Sequence, residues 1–242
     1  PLPDAVWRTA LATATDQDHF SVGVTAQRAG RVDIAEEAWR PLTDRGDAHA
    51  MVHFGILLAE AGRVEEAEPW FRRAADLGSA GAMLNLGILL ATASSKEEAK
   101  GWFRRAADLG STDAMVLLGH LLAEVDSKEE AEDWFRRAAQ QGETLATVGL
   151  GVLLAETGRM EEAEDWYRRA AEQGHTNAMV NLGVLLERQD QVEEAEEWHR
   201  QAASTGHTTA MYNLSLLLKK TGRLEEAKQW WRRLREIEEG AE

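Results

Sequence analysis

Residues 82–113 read AMLNLGILLATASSKEEAKGWFRRAADLGSTD, and most of this segment returns along the chain at intervals of 32 residues. Residues 50–81, for example, read AMVHFGILLAEAGRVEEAEPWFRRAADLGSAG. A fixed period of this length is typical of stacked-repeat proteins, in which each unit packs only against its neighbours. The period predicts seven repeats, at residues 18–49, 50–81, 82–113, 114–145, 146–177, 178–209 and 210–242.

Each repeat contains two segments with the periodicity of an amphipathic helix. In residues 82–113 the apolar residues of the first segment are Met83, Leu86, Leu89 and Leu90, and those of the second are Ala99, Trp102, Phe103, Ala106 and Ala107. Glycine, serine or aspartate follows most segments, and these residues tolerate the left-handed conformation that ends a helix. We therefore predict an all-α protein of about fifteen helices, with seven hairpins and an unpaired helix within residues 1–17.

Two local features bear on where the second helices begin and end. Ser95 and Ser127 each precede a glutamate by three residues, which is the signature of a capping box at a helix start. Pro41 and Pro69 fall inside predicted second helices, where a missing backbone donor is expected to kink or shorten the helix.

A glycine recurs inside the first helix of five repeats. Its positions are Gly55, Gly87, Gly119, Gly151 and Gly183. Glycine costs roughly 1 kcal/mol relative to alanine inside a helix. A cost repeated at the same point of each unit predicts that two helices cross there too closely for a side chain.

The spacing around this glycine resembles that of the tetratricopeptide repeat. After the Leu86-Gly87 pair, Ala99, Phe103 and Ala106 follow the glycine by twelve, sixteen and nineteen residues. The run W-[FY]-R-R-A-A-x-x-G-x-x-x-A is similar to that of the related Sel-one-like repeats. This resemblance covers nearly the whole chain, although its unit of 32 residues is shorter than the usual one. It implies a right-handed superhelical solenoid of stacked antiparallel helix hairpins, with the first helices lining a concave groove.

The two ends of the chain depart from the repeat. Residues 1–17 contain Trp7, which lies 32 residues before Trp39, so we interpret them as the second helix of a truncated upstream repeat or as an N-terminal cap. At the other end, the charged last helix is expected to run to about Glu239 and to act as a solvent-facing cap.

Composition narrows the possible functions. A formal net charge of −15 argues against nucleic acid as the main ligand, because binding phosphates requires clustered lysine and arginine. The chain has no cysteine, no apolar run as long as a membrane span, and none of the common catalytic, phosphate-binding or dinucleotide-binding motifs. We therefore predict no enzyme activity, no cofactor and no metal, and a cytoplasmic location. Abundant alanine and arginine with few lysines suggest a bacterial source.

Other conspicuous residues have structural interpretations. Acids precede several arginines by four residues, as Glu132 precedes Arg136, which favours a solvated face of local ion pairs. The tryptophans recur at the repeat interval and are expected to be packing residues. His49 and His53 are four apart but have no third candidate ligand, so we do not predict a metal site there. His175 and His207 follow helix-ending glycines and are expected at helix starts.

The function is expected on the face of the first helix that is left after packing positions are subtracted. This face combines apolar residues with asparagines, which can both donate to and accept from a peptide backbone. An alternative role for the asparagines is to tie one repeat to the next. The candidate groove residues are His53, Leu84, Asn85, Val116, His120, Val148, Val152, Val180, Asn181, Arg188, Tyr212, Asn213 and Lys220.

Near the carboxyl end of the chain, cations replace the acids of this face. Asn181, Arg188, Asn213 and Lys220 are expected on one strip, which resembles the carboxylate clamps of some tetratricopeptide domains. We therefore predict a protein or peptide ligand, acidic or ending in a carboxylate, unless these cations only pair with Glu187 and nearby acids. The favoured function is a scaffold within a larger bacterial regulatory protein. The alternative is a module without a groove ligand that forms homo-oligomers through the ends of the solenoid.

Overall fold

The computed structural model describes residues 3–125 and 127–239, which form fifteen α-helices and no strands. The helices are α1 (Asp4–Thr13), α2 (Asp16–Arg28), α3 (Val32–Asp44), α4 (Ala48–Glu60), α5 (Val64–Asp76), α6 (Ala80–Thr92), α7 (Lys96–Asp108), α8 (Thr112–Glu124), α9 (Lys128–Gln140), α10 (Thr144–Glu156), α11 (Met160–Glu172), α12 (Thr176–Arg188), α13 (Val192–Ser204), α14 (Thr208–Lys220) and α15 (Leu224–Glu239). The predicted all-α solenoid class is confirmed.

The helices form two compact units, Pro1–Leu121 and Leu122–Glu242. In the first unit, α2 packs on α3, α4 on α5 and α6 on α7; in the second, α10 packs on α11, α12 on α13 and α14 on α15. These pairs are the predicted hairpins. Second helices also pack on the first helix of the next repeat, as α3 does on α4 and α5 on α6 in the first unit, and α9 on α10, α11 on α12 and α13 on α14 in the second.

Left-handed residues end the helices where the sequence predicts them. Ser94 has φ 65° and Asp190 has φ 62°, and glycines with φ between 70° and 93° occupy the equivalent turns. After α4, Arg63 N–H donates to Leu58 O at 2.8 Å, which closes the turn and satisfies a carbonyl at the end of the helix. Asp126, predicted at another such turn, lies outside the described residues.

The capping-box prediction was wrong, and the prolines do not shorten their helices. Ser95 and Ser127 make no side-chain capping hydrogen bond, because both have ψ near 55° instead of the extended conformation that aims a cap at the helix. The helices that contain Pro41 and Pro69 are 13 residues long, the same length as the other helices from α2 to α14. Buried residues on both sides of Pro41, including Trp39 and Leu42, hold its helix in place.

Small buried residues allow the helices to pack closely. Alanines with no exposed surface lie near the start of each first helix from α4 to α14, and also in the second helices, as at Ala99 and Ala163. Leucines on the other side of each first helix, such as Leu86, Leu150 and Leu182, complete the core. Most of the predicted groove residues lie on the remaining face of the first helices, outside this set of core residues.

Candidate functional site

An aromatic ring of the second helix covers the glycine of the first helix in each hairpin for which the contact is described. A Cβ atom added at Gly87 would lie 2.5 Å from Phe103 Cε1, and one added at Gly55 would lie 2.6 Å from Phe71 Cε1. Both distances are shorter than any real carbon contact. The close helix crossing inferred from the sequence is therefore present at these glycines.

The type of aromatic residue at this crossing differs from repeat to repeat. Trp39 covers Gly23, phenylalanine covers Gly55 and Gly87, Tyr167 covers Gly151, and His199 covers Gly183. Trp39 donates from Nε1 to Phe20 O at 3.3 Å. Tyr167 and His199 bring polar atoms to this crossing: Tyr167 lines a cavity with residues of α10 and α12, and His199 Nε2 lies 2.9 Å from Glu187 Oε1.

Tyr167 lines a cavity of about 280 Å³ in the second unit, together with residues of α10 and α12. Its other lining residues are Val152, Ala155, Glu156, Asn181, Val184, Leu185 and Arg188. Burial, with a further contribution from the Glu156 carboxylate, raises the pKa of Tyr167 to about 12. The phenol therefore stays protonated at neutral pH and can donate a hydrogen bond into the cavity.

This cavity joins three of the predicted groove residues, Val152, Asn181 and Arg188. Within the part of the chain that the structure describes, the side chains of Asn181 and Arg188 make no hydrogen bond or ion pair. The predicted partner of Arg188, Glu187, is instead 2.9 Å from His199 Nε2 through its Oε1. An amide, a guanidinium and a phenol are thus available to one ligand.

His199 is fully buried, and its Nδ1 has no hydrogen-bond partner among the described residues. Burial lowers the pKa of His199, and the hydrogen bond to Glu187 only partly opposes this effect. The neutral imidazole donates from Nε2 to Glu187 and leaves Nδ1 as an unpaired acceptor in the core. Its pairing with Glu187 leaves the Arg188 guanidinium free.

The remaining groove candidates fall into different environments. Val116 and Val180 are buried and belong to the core. Asn85 donates to Gly81 O at 2.8 Å, within its own helix, so it does not tie one repeat to the next. Leu84, Val148 and Asn213 are half-buried, whereas His120 and Lys220 are exposed.

His53 is a packing residue. Its ring lies 5.1 Å from that of Phe20 and 5.5 Å from that of Trp39. Burial and the nearby His49 lower the pKa of His53. His53 of α4 therefore packs against α2 and α3 and is half-buried, so its ring is largely engaged in packing contacts.

The four residues of the predicted clamp do not share one cavity. Asn181 and Arg188 line the cavity beside Tyr167, whereas Asn213 and Lys220 line neither that cavity nor the one at α14 and α15. The second cavity has a volume of about 540 Å³, and Tyr212 is the groove candidate that contributes to it. Its ring lies 5.8 Å from that of Trp231.

Sequence reasoning missed Ala155, Tyr167 and Leu185 as cavity residues. The position of Tyr167 in the sequence predicts a place in the packing column of the second helix, where its ring does lie. The replacement of phenylalanine by tyrosine and histidine in that column was the available signal, because a polar ring tip at a buried crossing needs a partner.

The outer face carries the predicted ion pairs. Glu132 binds Arg136 at 2.7 Å within α9, and its other carboxylate oxygen binds Arg159 at 2.7 Å, just before α11. Arg137 and Arg169 also follow an acid by four residues, Asp133 and Asp165, but they lie over the rings of Trp134 and Trp166 at 4.7 and 4.8 Å. These arginines and tryptophans cover one another.

Both histidines lie at helix starts, as expected: His175 is the N-cap residue of α12 and His207 that of α14. His207 accepts the backbone N–H of Ala210 at its Nδ1, as expected, whereas His175 makes no capping bond. Among the described residues, no group of three or more histidine, aspartate or glutamate side chains could hold a metal ion. In the same part of the chain, no helix is long and apolar enough to cross a membrane.

Family comparisons cover the chain from residue 23 to residue 237 without a gap. Tetratricopeptide-repeat profiles match residues 23–82, 142–178, 176–206 and 207–237. The Sel1-repeat profile matches residues 80–111 and 112–143. Comparison with curated protein sequences gives no match.

Solved structures of repeat proteins share the fold. A Sel1 repeat protein from Oxalobacter formigenes is 24% identical with a TM-score of 0.73, covering 91% of this chain and 97% of that one. The antigen c5321 of uropathogenic Escherichia coli, described as having an SLR fold, is 24% identical with a TM-score of 0.76 and covers 94% of this chain and 55% of that one. YrrB, described as a TPR protein with an unusual peptide-binding site, is 26% identical with a TM-score of 0.54, covering 71% of this chain and 93% of that one.

Proposed function

Because the chain belongs to the family of tetratricopeptide and Sel1 repeats, we propose that it binds a peptide segment of a partner protein on the groove side of its first helices. Repeats of this family are general interaction scaffolds and typically have no enzymatic activity. The role fits the sensing or scaffolding part of a larger bacterial regulatory protein in the cytoplasm.

The observation that carries this proposal is the cavity beside Tyr167. Its apolar walls, Val152, Val184 and Leu185, can bury a side chain of the peptide, and its polar groups can bind the backbone. Asn181 can donate to a peptide carbonyl and accept from a peptide N–H at once. YrrB, whose repeat fold is similar, has a peptide-binding site of its own, which supports the same function here.

The charges favour a peptide that is acidic or that ends in a carboxylate. Arg188 carries a positive charge without a partner among the described residues, and Tyr167 adds a neutral donor on the same cavity. A guanidinium binds a carboxylate through charge-assisted hydrogen bonds, which are about twice as strong as neutral ones. Glu156 also lines the cavity and disfavours a second negative group, so one carboxylate near Arg188 is the best fit.

The test begins with a random peptide library displayed with free carboxyl ends and selected on the wild-type protein. Selected peptides are then synthesised with a free or an amidated carboxyl end. Amidation removes the negative charge that Arg188 would bind. We therefore expect it to weaken binding about tenfold or more, which corresponds to about 1.4 kcal/mol or more of binding free energy. Arg188→Ala should weaken the free-acid peptide to the level of the amidated one and leave the amidated peptide unchanged.

Arg169→Ala is the matched control, because Arg169 lies on the outer face over Trp166 in the same unit. Its effect on affinity should be less than twofold. Tyr167→Phe keeps the ring over Gly151 and removes only the hydroxyl, so it should weaken the free-acid peptide selectively. Equal binding by all three variants would contradict a site at this cavity.

A further inference from the structure

The end of the second unit carries an apolar face that the described residues do not cover. Leu216 of α14 and Leu224 and Trp231 of α15 line the cavity of about 540 Å³ with Tyr212. Trp231 is 43% exposed, whereas Tyr167, which occupies the equivalent position two repeats earlier, is 4% exposed. The same position of the repeat is therefore covered at Tyr167 and open at Trp231.

The equivalent site around Tyr167, which α12 covers, shows which kind of element fits this face. Leu216, Lys219 and Trp231 correspond to Val152, Ala155 and Tyr167 in the repeat. At the earlier site, Asn181, Val184 and Leu185 of α12 form the opposite wall of the cavity. The surface of α10 and α11 is thus built to receive one helix, and α14 and α15 repeat that surface.

The charges of the open face differ from those of the covered one. Lys219, Lys228 and Arg232 line the cavity. Lys219 stands at the position of Ala155, and Lys228 stands at the position where Glu164 pairs with Arg168. The only ion pair of these three cations among the described residues joins Lys228 to the exposed Glu225 at 2.6 Å. An apolar centre therefore has a basic rim in a protein whose net charge is −15.

We propose that this face is a docking site for an acidic amphipathic helix of a partner protein. The helix would pack across α14 and α15 as α12 packs across α10 and α11, with its apolar stripe on Trp231 and Leu216. Its acidic flanks would face Lys219, Lys228 and Arg232. This site is separate from the peptide cavity beside Tyr167 and does not depend on the function proposed there.

A second copy of this chain fits the face less well. The first helices α4, α6, α10, α12 and α14 carry no acidic residue in their first turns. The first-turn acids of α2 are engaged, since Asp16 pairs with Arg45 and Asp18 forms a capping box with Thr15, and α8 carries a single acid there, Asp113. The acid of α1, Asp4, is already held by Arg31 at 2.6 Å. Charge complementarity therefore favours a different protein.

The probes are two labelled helical peptides that keep the apolar positions of α12 and differ only in their flanks. One has glutamate at every flanking position and the other has lysine. We expect the acidic probe to bind at least about tenfold more tightly than the basic one near 50 mM salt, with the difference shrinking near 500 mM as screening increases.

Adjacent residues of α15 supply matched variants. Trp231→Ala and Arg232→Glu alter the face, whereas Trp230→Ala and Arg233→Glu alter the neighbouring pair in which Arg233 lies over Trp230. The first pair should weaken the acidic probe about fivefold or more, and the second pair less than twofold. Far-ultraviolet circular dichroism and thermal unfolding establish that each variant is folded.

Three results would overturn the proposal. One is equal affinity for the acidic and basic probes, and another is equal loss in the two pairs of variants. The third is a concentration-dependent dimer, seen by sedimentation, that Trp231→Ala abolishes, because a second copy would then cover the face. Unchanged binding of the acidic probe to Arg188→Ala separates this site from the peptide cavity.

Discussion

His199 occupies a position that is phenylalanine in the repeats containing Phe71 and Phe103. It fills the same space over Gly183, but its Nδ1 is buried without a partner among the described residues and its Nε2 is tied to Glu187. A buried unpaired acceptor costs about 1–3 kcal/mol. The cost brings no packing advantage over phenylalanine, and the contact that the histidine gains in return is the one with Glu187.

We predict that His199→Phe stabilises the folded protein and reduces its sensitivity to acid. The pKa of His199 is lowered in the folded state, so below about pH 6.5 the unfolded chain binds the proton more readily. Stability contributed by the neutral histidine is therefore complete above that pH and is lost as the pH falls. Urea unfolding at pH 8 and pH 5 measures the difference.

Tyr167→Phe is the control for this prediction. It makes the same kind of change over Gly151, and the phenol, with a pKa of about 12, does not titrate in that range. Its unfolding free energy should shift equally at both pH values. A wild-type pH dependence that survives unchanged in His199→Phe would show that other groups, such as His53, cause it.

The residues of the cavity were only partly predictable from the sequence. Asn181 and Arg188 stand out because amides and cations are uncommon on an apolar face. Tyr167 does not stand out, because its ring belongs to the packing column, where it covers Gly151. The pairing of Glu187 with His199 joins two helices, and no periodicity within one helix reports such a contact.

At the scale of the helices, the glycine crossing gives a prediction with an internal control. Gly87→Ala places a Cβ atom 2.5 Å from Phe103 Cε1, so the ring and helix must shift. We expect a loss of about 1–3 kcal/mol in the free energy of unfolding. Gly101→Ala, in α7 with open space around its Cα, should instead stabilise the protein by up to about 1 kcal/mol.

Urea unfolding of both variants measures the two effects. The intrinsic helix propensity changes identically in the two substitutions. If their changes in unfolding free energy have opposite signs, steric contact with the ring explains why glycine recurs at this position. Stabilisation by Gly87→Ala would contradict the close-crossing interpretation.

Neighbouring second helices are also joined by charge. Glu196 binds Arg200 in α13 and Arg223 before α15, the latter at 2.6 Å. Burial raises the pKa of Glu196, but hydrogen bonds from the two arginines outweigh it and leave the pKa lowered. We predict that Glu196→Gln lowers the unfolding free energy by about 1 kcal/mol at pH 7 and that this difference shrinks as the pH falls below about 4.

Glu197→Gln is the control, because Glu197 is exposed and adjacent to Glu196. Its effect should stay within about 0.5 kcal/mol, as for most surface substitutions. Equal effects of the two substitutions, measured by urea unfolding, would indicate that the change in net charge matters and the arginine contacts do not.

The hydrophobic periodicity of the sequence predicted the helices correctly, whereas the capping signatures did not predict how each helix begins. Ser95 has the sequence of a capping box but not its backbone conformation, and Thr15, which was not singled out, forms one with Asp18. The turn before each second helix is fixed by the left-handed residue that ends the first helix. The conformation of the turn between the two helices therefore overrides the local preference of the serine for capping.

For the molecule as a whole, the repeat makes stability depend on neighbours. Within each of the two units, hairpins pack on adjacent hairpins, and the described contacts between helices join elements that are close in the chain. In such a stack a local defect is expected to lower the stability of its own repeat and of those next to it, with less effect farther away.

Gly151→Ala tests this expectation, because its Cβ would lie 2.5 Å from Tyr167 Cε1 in the middle of the second unit. We predict faster amide hydrogen exchange in α10, α11 and α12, a smaller increase in α13 and α14, and unchanged exchange in α2 to α5. Gly101→Ala serves as the control that adds a Cβ without contact and should not accelerate exchange anywhere. A uniform increase along the whole chain would mean that the protein opens as a single cooperative body, and then ligand binding at Tyr167 would stabilise α2 to α5 as strongly as α10 to α12.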